Sequence, residues 1–164
     1  QRFDLTHPAD ICFARGTFKE HPAIMGAMAA FLDQLETPEI QAIYLGLEER
    51  WNARCKLFNE AMNAHRLPIQ AANMSSVWTI NYTQPSRYNW MLQYYLRLEG
   101  LALSWVGTGR MIFSLNYSDT DFKTVLDKFV AAATHMKQDG WWWQTPELSN
   151  KHIRRSILKE TFFR

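Results

Sequence analysis

The sequence predicts an α+β fold, a small and mostly antiparallel sheet with helices packed on one face. Three observations predict it. Long stretches repeat apolar residues at the three- and four-residue spacing of an amphipathic helix. Shorter stretches between them alternate large apolar residues with small or polar ones, as strands do. Glycine, proline and short polar runs separate the two kinds of segment, an order that suits a layered α+β domain.

The first half of the chain predicts two helices. Pro22 is favourable at a first helical position, and the apolar residues after it share one face. Thr37, before Pro38, is a candidate N-cap of a second, long helix that ends before Pro68. The apolar positions are Ile24, Met25, Met28, Phe31, Leu32 and Leu35 in the first helix, and Ile40, Ile43, Tyr44, Leu47, Trp51, Phe58 and Met62 in the second.

Residues 76–98 predict a strand and then a third helix. The strand covers 76–82, where large apolar residues alternate with smaller or polar ones. Pro85 opens the helix, which reaches about Leu98 and ends at Gly100. Its predicted buried residues are Met91, Tyr94, Tyr95 and Leu98.

Residues 101–140 predict two further strands and a fourth helix. The strands are Leu101–Trp105 and Met111–Tyr117, joined at residues 107–109. Ser118 and Asp121 have the spacing of a capping box, so the helix starts there and ends at Gly140. Its apolar stripe is Phe122, Val125, Leu126, Phe129, Val130, Ala133 and Met136.

Composition narrows the function classes. The chain has 164 residues, 47% hydrophobic and 21% charged, as expected of one globular domain. A net charge of +2 is too small to predict a polyanion partner. Cys12 and Cys55 are too few for a disulfide scaffold, so we expect a reducing cytoplasm. No apolar run is long enough for a membrane span, and because the chain starts with Gln1 we expect a piece of something longer.

Residues 15–23 combine features that suit an anion. Gly16 lets the backbone approach a ligand closely, and Thr17 offers a hydroxyl and an N–H. The helix that starts at Pro22 adds donors and partial positive charge. We divide the chain into an irregular segment carrying this motif, 1–20, a main domain, 21–143, and a basic amphipathic tail, 144–164.

Four places together resemble the C-terminal small domain of class III pyridoxal-phosphate (PLP) aminotransferases, fold-type I enzymes, closest to the glutamate-1-semialdehyde aminomutase-like branch. The first is Gly16-Thr17 followed by residues 21–25, where His21 replaces the usual Asn. The second is 76–78, with Ser75 in place of the usual Gly. The others are 98–101 and 110–122. Their order, over residues 10–140, carries the resemblance.

The resemblance implies a PLP-dependent transferase of biosynthetic metabolism that moves an amino group from an amino acid to an aldehyde or ketone. It implies a homodimer in which Gly16 and Thr17 bind the cofactor phosphate of the neighbouring subunit. Arg110 stands where many members bind a substrate carboxylate, although the aminomutase branch departs from Arg there. The lysine that forms the Schiff base has no counterpart in residues 1–15 or at Lys19, so we expect these 164 residues alone to be inactive.

Other interpretations stay open. The chain could be a non-catalytic α+β interaction domain that uses Trp141–Trp143 and the basic tail as its contact surface. We favour a tail that docks on its own protein, and we expect neither a nucleic-acid nor a membrane partner. The five histidines lack the spacing of a metal site, and no nucleophile elbow is present, so we expect no metal and no hydrolase.

Overall fold

The computed structural model describes residues 21–103, 109–143, 145 and 147–162. The chain divides into two compact units, residues 1–45 and 46–164. In the first, α1 spans Pro22–Leu35 and α2 spans Pro38–Tyr44, each with proline at its start as predicted. Thr37 is the N-cap residue of α2, but its hydroxyl donates to the carbonyl of Gln34 (2.8 Å) instead of capping the helix. No residue of α1 is buried, and its predicted apolar face is about half exposed.

The prediction of one long helix from Pro38 is wrong. That helix ends at Tyr44, and a separate helix, α3, spans Leu47–Ala64. Gly46 lies between them with φ +65°, a left-handed conformation that glycine adopts without steric cost. The apolar spacing continues across this break, so periodicity alone did not reveal it.

The second unit contains a three-stranded antiparallel sheet in the order β1-β2-β3, which confirms the α+β class. The strands are Ile69–Met74, Val77–Tyr82 and Arg110–Ile112. β1 was not predicted. The predicted strand Leu101–Trp105 is wrong for 101–103, and the predicted Met111–Tyr117 is limited to its first two residues. Residues 104–108 lie outside the described part of the chain.

Ser75 makes the tight connection between β1 and β2. Its φ is +49°, in the left-handed region that disfavours side chains other than glycine. At this position the chain has serine where the family that it resembles usually has glycine. The Oγ atom of Ser75 is buried and has no hydrogen-bond partner in the described structure.

Three further helices complete this unit. A 3₁₀ turn, Asn89–Met91, precedes α4, Leu92–Leu98; α5 spans Asp119–Gln138 and α6 spans Asn150–Phe162. The predicted buried face of α4 is wrong, since Leu92 and Leu96 are buried while Leu98 is 82% exposed. The capping box of α5 is confirmed: Ser118 Oγ accepts from the Asp121 N–H, and the Asp121 carboxylate accepts from the Ser118 N–H.

Helices α3, α4 and α5 pack on one side of the sheet around an aromatic core. Trp51, Trp78, Phe58 and Phe129 are almost fully buried, and in this order each ring meets the next edge to face with centroids 5.2–6.0 Å apart. Arg54 is buried in the same core. Its guanidinium lies over the ring of Trp51 and donates to the carboxylate of the exposed Asp119 (2.8 Å) and to the carbonyl of Tyr117 (2.9 Å).

Candidate functional site

The predicted phosphate-binding pair, Gly16 and Thr17, lies outside the described residues. The structure does describe the helix start that follows the pair. His21 is extended and precedes Pro22, and no side chain caps the first turn of α1. That turn also carries no acidic residue. The positive end of α1 therefore carries no negatively charged side chain of its own.

Arg110 is the first residue of β3 and is exposed. In the register of the sheet it lies opposite Thr79 of β2, so both side chains project from the face away from the core. Met111, the next residue, is buried toward the helices. Among the described residues, no side chain forms an ion pair or a hydrogen bond with the guanidinium. Arg110 is thus a cation on the outer face of the sheet that no described carboxylate pairs with.

Three depressions of the surface meet at Arg110. One follows the edge of β3, has a volume of about 480 Å³ and has walls that include Leu103, Met111 and Val125. A second lies on the outer face of the sheet over Val77 and Thr79. A third extends toward α4. Among the described residues that line them, Arg110 carries the only charge. The arrangement is a single guanidinium between largely apolar walls, which suits a carboxylate attached to an apolar group.

Gly109 fixes the start of β3. Its φ is +68°, and its carbonyl accepts a hydrogen bond from the Ile80 N–H (2.9 Å). A Cβ atom built at this position would lie 2.7 Å from the Ile80 carbonyl oxygen, too close for any side chain. Because residue 109 is glycine, the chain can pack closely against β2 at the residue that precedes Arg110. The sequence marked 107–109 as a turn but did not indicate this contact, nor that Thr79 lies beside Arg110.

The Trp141–Trp143 run docks on α4 and on the 3₁₀ turn before it. The indole N–H of Trp141 donates to the hydroxyl of Tyr95 (2.8 Å), and that of Trp142 donates to Asn89 (2.9 Å). Tyr95 in turn donates to Asp139, and burial together with this hydrogen bond raises its pKa. Trp142 is buried and Trp143 is about half exposed. Trp142 of this run therefore belongs to the core, whereas Trp143 stays partly exposed.

Four of the described lysines form contacts away from Arg110. Lys128 donates to the carbonyl of Glu99, and Lys137 donates to the carbonyls that follow α3. Lys56 and Lys123 pair with carboxylates one helical turn away. None of the described lysines lines the depressions at Arg110. Within the described ranges, no three metal-ligating side chains cluster, and no helix could cross a membrane.

The fold is similar to that of solved transaminases. A transaminase with PLP bound superimposes with a TM-score of 0.61 at 14% identity. An omega-transaminase from Sphaerobacter thermophilus gives 0.59 at 18%. A beta-phenylalanine aminotransferase from Variovorax paradoxus gives 0.54 at 24%. No protein-family model matches the sequence, and no curated protein does.

These likenesses cover most of this chain but only part of each transaminase. The superpositions cover 79–82% of this chain and 31–33% of each solved transaminase chain. At such low identity they establish a shared fold. The chain therefore has the fold of about one third of a transaminase.

Proposed function

We propose that this chain is the C-terminal small domain of a class III, PLP-dependent aminotransferase of the glutamate-1-semialdehyde aminomutase-like branch. The whole enzyme would move an amino group from an amino acid to an aldehyde or ketone in cytoplasmic biosynthetic metabolism. The observation that carries the proposal is the fold shared with three transaminases over about four fifths of the chain. The ordered sequence matches that include Gly16-Thr17 and Arg110 support it independently.

The chain offers donors that fit the cofactor phosphate. The N–H and hydroxyl of Thr17, the backbone of Gly16 and the uncapped start of α1 would face that phosphate across a homodimer interface. A phosphate dianion is best held by such convergent donors, and the first turn of α1 carries no carboxylate to repel it. When bound, PLP supplies the electron sink on which amino-group transfer depends.

Arg110 would recognise and orient the substrate. Its guanidinium can hold a carboxylate through two parallel hydrogen bonds, which fixes both the position and the direction of the substrate. The hydroxyl of Thr79, on the same face, can donate a further bond. The apolar walls of the depression along β3 would take an apolar substituent and exclude water from it.

The role of Arg110 is tested in the longest natural protein that contains these residues. We expect Arg110→Gln to lower kcat/KM about 10- to 100-fold for β-phenylalanine, because one charge-assisted pair to its carboxylate is lost. The same variant should leave transfer from 1-phenylethylamine, which has no carboxylate, nearly unchanged. Lys123→Gln removes an equal charge from α5 and serves as the control. Equal losses for both donors would contradict carboxylate recognition by Arg110.

We also propose that these 164 residues alone transfer no amino group, because the reactive lysine belongs to another part of the enzyme. None of the described lysines lies at Arg110. Treating the isolated chain with PLP and borohydride should leave no single lysine stoichiometrically modified. A stoichiometric adduct at one lysine, together with turnover of an amino donor, would refute this.

A further inference from the structure

We propose that α6 binds a negatively charged bilayer surface through one side of the helix, here called the cationic face. The cationic face consists of Lys151, Arg154, Arg155, Leu158, Lys159 and Phe162. None of these residues lines the depressions at Arg110, and the inference does not depend on the proposed function. It differs from the expectation from the sequence, which is that the chain has no membrane partner.

The opposite side of α6 is attached to the rest of its unit. Both terminal nitrogens of the Arg87 guanidinium donate to the carboxylate of Glu160, at 2.6 and 2.5 Å. Ser156 and Ile153, one turn and two turns earlier on that side, are half-buried. The sequence favoured a tail that docks on its own protein, and this side of α6 does so. The attachment fixes which side of the helix faces outward.

The cationic face presents two apolar side chains between basic ones. Leu158 and Phe162 are one helical turn apart and are 55% and 74% exposed. Arg154 and Arg155 precede Leu158 by four and three residues, so they lie next to it on the helix, and Lys159 stands in the same relation to Phe162. Among the described residues, no carboxylate pairs with any of the four basic side chains of this face.

Positive charge is concentrated in this part of the chain. Residues 150–164 contain five lysines and arginines and one acidic residue, Glu160, which pairs with Arg87. Residues 1–149 contain thirteen basic and fifteen acidic residues. The small net charge of the whole chain therefore hides a strongly basic helix on a slightly acidic remainder. A negatively charged surface would be attracted to α6 and repelled by the rest.

The size of the attraction favours a bilayer over a protein partner. Each Lys or Arg near an anionic bilayer raises the partition coefficient about fivefold, and the bilayer needs no matching shape. An exposed ion pair with another protein raises the binding affinity only about twofold. Exposed Leu and Phe side chains beside snorkelling cations are typical of helices that lie on a bilayer.

The experiment is co-sedimentation of the full 164-residue chain with vesicles of phosphatidylcholine, with and without about 30% phosphatidylserine. We expect binding to the anionic vesicles only, lost as the salt is raised to about 0.5 M. Arg155→Gln with Lys159→Gln should weaken binding about 25-fold. Lys56→Gln with Lys123→Gln removes the same charge from α3 and α5 and should change it little. Circular dichroism of each variant checks that the helices persist.

A second pair of variants tests the apolar contacts. Leu158→Gln with Phe162→Gln keeps every charge and should weaken binding at least several-fold, because the two side chains no longer enter the bilayer. Equal binding to neutral vesicles would overturn the proposal, as would binding that survives Arg155→Gln with Lys159→Gln, for example through the exposed face of α1. Tighter binding to a short DNA duplex than to anionic vesicles would also overturn it.

Discussion

Replacing Gly109 by alanine tests how β3 is held beside β2. The left-handed φ of +68° costs an alanine roughly 1–2 kcal/mol relative to glycine. The new Cβ would lie 2.7 Å from the Ile80 carbonyl oxygen, so the strands must separate and the hydrogen bond from Ile80 to Gly109 is weakened, at a further cost of about 1–2 kcal/mol. The lower entropy of the unfolded alanine chain returns about 0.4–1 kcal/mol. We therefore expect Gly109→Ala to lower the free energy of unfolding by about 2–3 kcal/mol.

Gly140→Ala is the matched control for this substitution. Gly140 has φ +78°, but nothing lies within 4 Å of the position of its Cβ. Its substitution should cost only the backbone term, about 1 kcal/mol. Urea unfolding of both variants, followed by tryptophan fluorescence, measures the difference directly. If Gly109→Ala costs no more than Gly140→Ala, the close approach of Gly109 to β2 is wrong.

Three other predictions concern the same unit. Ser75→Gly should raise the free energy of unfolding, measured by urea unfolding, by about 1 kcal/mol. Glycine adopts the positive φ without strain, and the substitution removes a buried Oγ that has no partner among the described residues. A lower free energy of unfolding would contradict this. Asn59→Leu should lower the free energy of unfolding by about 2–3 kcal/mol, because the Asn59 amide forms hydrogen bonds with both the N–H and the carbonyl of Ala71. Asn63→Leu, on the exposed side of α3, should lower it little in the same assay. Burial raises the pKa of Tyr82 to about 12 from 10.0, so folding favours the neutral phenol. The free energy of unfolding should therefore fall between pH 10 and 12, by up to about 2–3 kcal/mol. Tyr82→Phe should remove that part of the pH dependence, and an unchanged slope would contradict the burial of Tyr82.

Local signals explain most of what the sequence predicted about the fold. The start of α5 follows from hydrogen bonds within four residues, Ser118 to Asp121, and its buried stripe follows from helical spacing. Proline at the first helical position likewise placed the starts of α1 and α2. Such features depend on neighbouring residues alone, so they can be recognised without knowledge of the tertiary structure.

Features that depend on distant residues were missed. β1 has weak strand propensity around Ala71 and Ala72. At its outer edge the backbone N–H and carbonyl of Ala71 form hydrogen bonds with the side-chain amide of Asn59 in α3. The buried face of α4 was misplaced because packing on α5 selects Leu92 and Leu96. Arg54 did carry a signal, since it lies at helical spacing from Trp51 and Phe58 on the buried stripe of α3.

The role of Arg110 stays a prediction. The family resemblance and the chemistry of guanidinium groups indicate this residue. Its place on the outer face of the sheet, next to Thr79 and between apolar depressions, depends on strand register, which the sequence does not determine on its own. Gly16 and Thr17 remain predictions.

The central claim is that these residues form a cofactor-sharing domain whose reactive lysine lies elsewhere in the same enzyme. The most direct measurement is peptide mapping of the longest natural protein that contains this chain, after loading with PLP and reduction with borohydride. We predict one stoichiometrically modified lysine, outside the 164 residues. A stoichiometric adduct on a lysine within them, or a protein that binds no PLP at all, would contradict the account.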